Sequence, residues 1–208
     1  LTQNKMTVTK VYVNDIKNIE NLTEEEKLTL AYFATCCDAK IEDGKRIGDP
    51  TELALLDVCN NNNIAFLQYE RVLDLPFDSD RKLMTTVIKL NNKYISITKG
   101  APDRVITLSN NNQEILDSAL KANSDMATNA LRVLALATQE FDYLPKEEEL
   151  EHDMNLVGLV GMIDPARPEV KDAIQIATRA GIKTVMITGD HIVTACAIAK
   201  ELGILKEG

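Results

Sequence analysis

The sequence predicts an α/β protein of the α+β kind, in which a mixed antiparallel sheet with helices is joined to a truncated parallel, doubly wound sheet. In the first 150 residues, strand-like runs with alternating apolar residues follow one another, which favours antiparallel pairing. At residues 156–163 the apolar residues become continuous, as is typical of parallel strands covered on both faces. Helix-like and strand-like segments then alternate. We therefore expect one domain over residues 10–150 and a second, partial domain over residues 1–9 and 151–208.

Length and charge limit the classes of protein to which the chain can belong. Its 208 residues suffice for one large or two small domains, and 45% hydrophobic with 26% charged residues is ordinary for a globular protein. The net charge of −9 argues against a nucleic-acid partner, because nucleic-acid binders present basic surfaces. A small anionic ligand is compatible with it, since such a ligand needs only a local cluster of Lys and Arg.

The cysteines predict buried, reduced thiols rather than disulfides or a metal site. They stand at positions 36, 37, 59 and 196, without a CxxC pair. The sequence has no signal peptide and no apolar run near the roughly 18 residues of a membrane span. These features favour a chain in contact with the cytosol and without metal ligands of its own.

Local patterns place the elements of the first domain. Thr23 and Glu26 form a predicted capping box for a helix that extends to about Asp38. Asp49 is a predicted N-cap, with Pro50 in the first turn of a helix that extends to about residue 60. The other expected elements are strands at residues 3–13, 71–77, 83–90, 93–99 and 133–138, a hairpin turn at residues 91–92, and helices at residues 104–108 and 115–130. Residues 144–150 are expected to form either a short acidic helix or a linker.

The second domain is expected to follow the order strand, helix, strand, helix. These four elements fall at residues 156–163, 168–180, 183–187 and 192–202. Ligands of open parallel sheets bind beyond the carboxyl ends of the strands. Thr188 follows the second strand at a predicted helix N-terminus, where a hydroxyl and backbone N–H groups favour phosphate. Asp190 either orients a neighbouring group there or serves only as the N-cap.

Lys99 is the candidate anion-binding residue of the first domain. It stands at the end of a predicted strand, followed by Gly100, whose missing Cβ lets a ligand approach the backbone. A lysine ammonium beside bare backbone suits a phosphorylated nucleotide. The alternative is that the Lys-Gly pair is only a turn.

Four other residues of the first domain are candidates, each with a purely structural alternative. Phe77 ends a predicted strand and either stacks on a base or belongs to the core. Lys82 and Arg132 either contact phosphates or are solvated surface charges. Glu52 either accepts a hydrogen bond from a base amino group or completes a capping box.

Taken together, these residues resemble the cytoplasmic nucleotide-binding region of a P-type cation-transporting ATPase of type II, the calcium-pump-like branch. Seven segments match motifs of that family in the family's order. They are LTQNKMT at residues 1–7, GDPTE at 48–52, FDSDRKLM at 77–84, TKGAPD at 98–103, LRVLA at 131–135, DPAR at 164–167 and MITGDHIVTACAIA at 186–199. The resemblance implies a nucleotide-binding (N) domain over residues 10–150 and a partial HAD-like phosphorylation (P) domain over residues 1–9 and 151–208.

The resemblance also assigns roles within the N domain. Phe77 would stack on adenine and Glu52 would contact the adenine edge. Lys82 and Lys99, with Gly100, would line the ATP pocket. Arg132 would reach the phosphates.

In the P domain, the resemblance implies that Asp164 lies at the hinge between the two domains. Thr188 and Gly189 would hold the γ-phosphoryl group, and Asp190 would organise the catalytic site. Ala166 departs from the family's DPPR motif but removes no functional side chain. The sequence begins shortly after the family's nucleophilic Asp-Lys-Thr-Gly and stops before its GDGxND segment. Phosphoryl transfer needs nucleophile, metal and clamp together, so we expect ATP binding without turnover.

The resemblance implies partners outside this sequence: ATP, Mg²⁺ in the full-length parent, and the transmembrane and actuator domains of a pump in a prokaryotic cell membrane. Calcium is the favoured ion, and a truncated parallel sheet is expected to favour self-association through its edges. Two other functions stay open. They are a soluble HAD-type phosphohydrolase with a cap domain and a nucleotide-binding module without chemistry.

Overall fold

The computed structural model describes residues 2–3, 5–42, 44–67, 69–90, 92–188 and 192–205. Its strands are β1 (Thr7–Tyr12), β2 (Ile16–Asn18), β3 (Lys40–Glu42), β4 (Lys45–Ile47), β5 (Glu70–Asp78), β6 (Leu83–Leu90), β7 (Lys93–Gly100), β8 (Arg132–Phe141) and β9 (Asn155–Ile163). Its α-helices are α1 (Glu24–Thr35), α2 (Pro50–Asn61), α3 (Pro102–Thr107), α4 (Gln113–Thr128), α5 (Pro168–Arg179) and α6 (Ile192–Glu201), with a 3₁₀ turn at Glu147–Glu149. Among these described residues, no helix is long and apolar enough to cross a lipid bilayer.

The architecture is one large antiparallel sheet between two layers of helices. Seven strands pair in the order β2-β1-β9-β8-β7-β6-β5, and β3 and β4 form a separate hairpin. The pairings within the large sheet are antiparallel throughout. The antiparallel strands predicted for the first domain are thereby confirmed.

Two apolar clusters, one on each face of the sheet, form the core. On one face, Leu30 and Phe33 of α1 and Leu55 of α2 pack against the sheet. On the other face, Val105 of α3 and Met126 of α4 do the same. The buried thiols expected at positions 36, 37 and 59 belong to the first of these clusters. A third, small cluster joins α5 to α6.

The helix caps predicted from the sequence are present. The backbone N–H of Glu26 donates to Thr23 Oγ1 at 3.3 Å, and the N–H of Thr23 donates to Glu26 Oε2 at 2.8 Å, which completes the capping box of α1. Asp49 accepts from the N–H of Thr51 at 2.7 Å, so Asp49 is the N-cap of α2. Each cap satisfies backbone donors that the first helical turn leaves without a partner.

The parallel pairing predicted for residues 156–163 is wrong. β9 lies within the large sheet, antiparallel to both β1 and β8. Its apolar run is continuous because it is central: Val160 and Met162 face one helical layer, while Leu156 and Leu159 face the other. Continuous hydrophobicity therefore reports burial on both faces, not strand direction.

The strand predicted at residues 183–187 is also absent from the structure. Residues 182–188 have no regular secondary structure, and the side chains of Val185 and Ile187 are 69% and 92% exposed. β1 and β8 occupy both edges of β9, so β9 offers this segment no backbone partner. The helices expected on either side of it form as α5 and α6. The described residues therefore contain no parallel doubly wound sheet, and the domain boundaries stay a prediction.

The burial of α1 against the sheet generates a prediction about stability. Phe33 is fully buried, whereas Leu28 on the same helix is 45% exposed. We expect Phe33→Ala to lower the free energy of unfolding by about 3–5 kcal/mol, because it removes a large side chain and leaves a cavity. Urea unfolding followed by circular dichroism measures this. Leu28→Ala is the matched control and should cost under about 1 kcal/mol; equal losses would contradict the packing of α1.

Candidate functional site

A cavity of about 370 Å³ opens where the start of α2 meets the ends of β5, β7 and β8. Five residues singled out from the sequence line it: Glu52, Phe77, Lys99, Gly100 and Arg132. The other lining residues are Asp49, Thr51, Met84 and Leu134. Residues separated by up to 85 positions in sequence, from Asp49 to Leu134, thus meet in one place.

Lys99 lies at the bottom of this cavity and is only 6% exposed. It belongs to β7, where it pairs with Met84 of β6 and Leu136 of β8, so the alternative that it stands in a turn is wrong. Its Nζ donates to Glu52 Oε1 at 2.6 Å and to the carbonyl oxygen of Cys36. It also lies 3.1 Å from the Met84 sulfur. The ammonium is therefore held on several sides within the core of the sheet.

The pKa of Lys99 is raised in spite of its burial. Burial alone lowers the pKa of an amine, because it removes water from the charged form. Cys36, Cys37 and Glu52, in that order, raise the pKa of Lys99 by more than burial lowers it. Burial also raises the pKa of the thiols of Cys36 and Cys37, so both are neutral near pH 7. With those thiols neutral, the remaining group that raises the pKa of Lys99 is Glu52, through its charge and its hydrogen bond.

Glu52 uses both of its carboxylate oxygens inside the site. Oε1 accepts from Lys99, and Oε2 accepts from the backbone N–H groups of Asp38 and Ala39 at 3.0 and 2.9 Å. The capping-box alternative for Glu52 is wrong, since Asp49 caps the helix and the Glu52 side chain is engaged elsewhere. Glu52 therefore ties α2, β7 and the loop after α1 together.

Phe77 is presented at the rim of the cavity and is 63% exposed. The alternative that it is a core residue is wrong. It stands on β5, the edge strand of the sheet, directly after Pro76. Proline is tolerated there because an edge strand has N–H groups without a ladder partner. An exposed ring beside an apolar cavity wall is suited to stacking on a planar ligand.

Arg132 supplies a cation at the opposite rim. It is the first residue of β8, and its Nη1 donates to Thr51 Oγ1 at 3.1 Å. No carboxylate among the described residues lies within ion-pair distance of its guanidinium. The side chain is exposed, and its contact with Thr51 fixes its orientation. An anion at the cavity mouth could therefore pair with the Arg132 guanidinium.

Gly100 has a different structural role from the one expected. A Cβ at Gly100 would lie 2.2 Å from the Lys82 carbonyl oxygen, so the turn before β6 occupies the space that a side chain would fill. The glycine therefore admits the backbone of Lys82 rather than a ligand, although Gly100 still lines the cavity. Lys82 itself is exposed, has a positive φ of 57° and does not line the cavity.

Of the candidates in the predicted second domain, Asp164 and Thr188 do not line the cavity. Asp164 follows β9 and accepts from the backbone N–H of Lys5 at 3.1 Å. Thr188 is exposed in the segment before α6, and Gly189 and Asp190 lie outside the described residues. The described part of the chain holds no group of three or more His, Cys, Asp or Glu side chains arranged to bind a metal ion.

Sequence reasoning missed the loop after α1, which does not line the cavity but contacts residues that do. Arg71 of β5 donates to the Cys37 carbonyl oxygen at 3.1 Å and pairs with Asp38 at 2.7 Å. Glu52 and Lys99 hold the same loop from the other side. These contacts join residues far apart in sequence, so no local sequence pattern predicts them. Three further lining residues lie inside the motif segments, so the sequence alone could have identified them as candidates. They are Thr51, Met84 and Leu134.

Comparison with known proteins gives a consistent result. The family model described as "P-type ATPase, cytoplasmic domain N" matches residues 25–169. A calcium-transporting ATPase of Bacillus cereus is 44% identical over 100% of this chain and 26% of its own length. A calcium-transporting ATPase of Lactococcus lactis is 37% identical over 100% of this chain and 26% of its own. The sodium/potassium-transporting ATPase subunit alpha-1 of Catostomus commersonii is 30% identical over 100% and 25%. The chain spans about a quarter of the length of these relatives.

The buried pair of Glu52 and Lys99 generates a prediction. Their side chains are 13% and 7% exposed. We expect Glu52→Gln to lower the free energy of unfolding by about 3 kcal/mol, because it leaves a buried ammonium without its carboxylate. Urea unfolding monitored by circular dichroism measures the change.

The matched control is Glu140→Gln, which breaks an exposed pair with Lys93 at 3.0 Å. Such an exposed pair contributes little to stability, so Glu140→Gln should cost far less than Glu52→Gln. If both substitutions cost the same small amount, the Glu52–Lys99 pair does not support the fold in the way its burial indicates.

Proposed function

The chain belongs to the P-type ATPases, matching their cytoplasmic domain N, and we propose that it binds ATP in the cavity between Phe77, Lys99 and Arg132. The observation that carries this proposal is the division of the cavity into an apolar part and a cationic rim. Phe77, Met84 and Leu134 offer apolar surface to a base. Arg132 stands at the mouth, where phosphates would leave the cavity.

Within this proposal, each candidate residue acts through the contacts that the structure gives it. Phe77 stacks on adenine from the rim. Glu52 meets the base edge while it holds Lys99, and Lys99, paired with Glu52, lies below the base. Lys82, at the exposed turn beside Gly100, attracts the phosphates from outside the cavity.

For the whole protein, we propose a cation pump of the cell membrane that works through an aspartyl-phosphate, with this chain as part of its cytoplasmic region. Calcium is the favoured ion, since relatives with calcium-transporting names are 34–44% identical to this chain and the sodium/potassium-transporting relative is 30% identical. The partners are then the transmembrane and actuator parts of the same pump. We keep residues 10–150 as the nucleotide-binding part and residues 1–9 and 151–208 as part of the phosphorylation domain.

In that phosphorylation domain, Asp164 would serve as a hinge, and Thr188, Gly189 and Asp190 would receive the γ-phosphoryl group. Mg²⁺ would act there in the full-length parent. The sequence contains no Asp-Lys-Thr-Gly segment, so this chain would bind ATP without hydrolysing it.

The soluble phosphohydrolase alternative has less support. That class requires a nucleophilic aspartate at the carboxyl end of a parallel strand, and the large sheet described here pairs only antiparallel. A nucleotide-binding module without chemistry shares the same cavity. It would differ from the pump fragment only in the rest of the protein to which the chain belongs.

Calorimetric titration with ATP tests the proposal. Aromatic stacking on a base contributes roughly 1–3 kcal/mol, so we expect Phe77→Ala to weaken binding about tenfold or more, since 1.4 kcal/mol corresponds to a factor of ten. Arg132→Gln should weaken ATP more than adenosine, because it removes a phosphate contact.

Two exposed residues outside the cavity provide matched controls. Phe66→Ala removes another aromatic ring, 45% exposed, and Lys121→Ala removes an exposed cation on α4. Both variants should bind ATP like the unsubstituted chain. If Phe77→Ala binds as tightly as Phe66→Ala, while melting curves show both folded, the cavity is not the nucleotide site.

A further inference from the structure

A β-bulge at Pro76 and Phe77 aims the exposed ring at the cavity. Leu75 of β5 pairs with Thr85 of β6, and the next registered pair is Asp78 with Leu83. Two residues of β5, Pro76 and Phe77, therefore lie opposite one residue of β6. Bulges of this kind on edge strands redirect a side chain. The position of the Phe77 ring thus depends on whatever holds the bulge in shape.

Arg81 is the side chain that holds the bulge. Its Nη2 donates to the carbonyl oxygen of Pro76 at 2.9 Å, on the residue directly before Phe77. Its Nη1 lies 2.5 Å from both carboxylate oxygens of Glu151. The planar fork of arginine makes the two contacts at once, which a lysine cannot do.

Glu151 is itself fixed, although it lies 70 positions away from Arg81. Its Oε1 accepts from Thr85 Oγ1 at 2.8 Å, and Thr85 Oγ1 lies 2.8 Å from Thr98 Oγ1. Both threonines are fully buried, and Thr85 stands opposite Leu75 at the start of the bulge. The polar chain from Thr98 to Arg81 therefore anchors the bulge in the middle of the sheet.

The backbone at Glu151 adds a second, independent observation. Glu151 has a φ of 61°, in the left-handed region that non-glycine residues adopt at a cost. From this conformation its side chain reaches both Thr85 and Arg81. Its carboxylate side chain is only 12% exposed, which is unusual for a residue in a connection between strands.

We propose that Arg81 and Glu151 are positioning residues for the nucleotide site, which fix the Phe77 ring in its stacking orientation without touching the ligand. This inference rests on the proposed function and deepens it, because it names the groups that set the affinity of the site for a purine base. Neither residue lines the cavity. We expect their effect on binding to pass through Phe77, because Arg81 holds the carbonyl oxygen of the residue directly before it.

A double-mutant cycle tests this route. Dissociation constants for ATP are measured calorimetrically for the unsubstituted chain, Arg81→Lys, Phe77→Ala and the double variant. We expect Arg81→Lys alone to weaken binding about fivefold, and to change it less than about twofold when Phe77 is already alanine, because coupled residues are non-additive. Glu151→Gln should behave like Arg81→Lys. The same fivefold loss in both backgrounds overturns the inference, since Arg81 then acts without the ring.

The control is Arg46→Lys. Arg46 forms a two-pronged ion pair with Asp57, and that pair is about as exposed as the pair of Arg81 with Glu151. Arg46 donates to both Asp57 oxygens at 2.8 Å, and the side chains are 38% and 16% exposed, against 37% and 12% for Arg81 and Glu151. Neither Arg46 nor Asp57 lines the cavity. Arg46→Lys should leave ATP affinity unchanged. A loss equal to that of Arg81→Lys would show a general structural effect and overturn the inference.

A spectroscopic measurement separates this inference from the proposed function. The sequence contains no tryptophan, so Phe77→Trp introduces a single fluorophore at the bulge. We expect its steady-state anisotropy, without ligand, to fall when Arg81→Lys is added and to stay constant when Arg46→Lys is added. An unchanged anisotropy overturns the positioning role. Failure of the unsubstituted chain to bind ATP instead overturns the proposed function, whatever the anisotropy shows.

Discussion

The buried ion pair between Lys99 and Glu52 is the contact on which the rest of the site depends. An ammonium that is 6% exposed cannot remain charged in a sheet without a compensating carboxylate. Glu52 supplies that charge from the first turn of α2 and holds the loop after α1 with its second oxygen. The pair therefore fixes a helix, a central strand and a loop relative to one another, and the cavity is the space that remains between them and the rim.

The site was predictable from the sequence to the extent that its residues lie in local patterns. The N-cap of α2 at Asp49 and the pairing of Leu90 with Lys93 across the predicted hairpin follow from turn and cap chemistry. The contact of Glu52 with Lys99 did not follow, because a glutamate at the third position of a helix has a sufficient local explanation as a capping residue. Only the three-dimensional fold shows that the cap is supplied by another residue.

For the fold, too, the sequence pattern predicted the burial of a segment but not its pairing partners. The apolar run at residues 156–163 indicated burial on both faces, and β9 is indeed central. It could not indicate direction, because direction depends on which strands take its two edges, and both neighbours prove antiparallel. The strand expected at residues 183–187 failed for the same reason: its apolar side chains were correctly noticed, but the pattern contains no information about whether a strand edge is free to receive them.

The distribution of charge in the cavity favours one orientation of the proposed nucleotide. Lys99 lies at the bottom but is already neutralised by Glu52, so it offers little net attraction to a phosphate. The Arg132 guanidinium at the mouth has a hydroxyl contact and no described carboxylate partner, so it offers more. Phe77, Met84 and Leu134 supply the apolar surface that a base prefers. A nucleotide would therefore enter base first and leave its phosphates at the opening. In such a site, a Phe77 ring fixed by the bulge on β5 would set how far the phosphates extend.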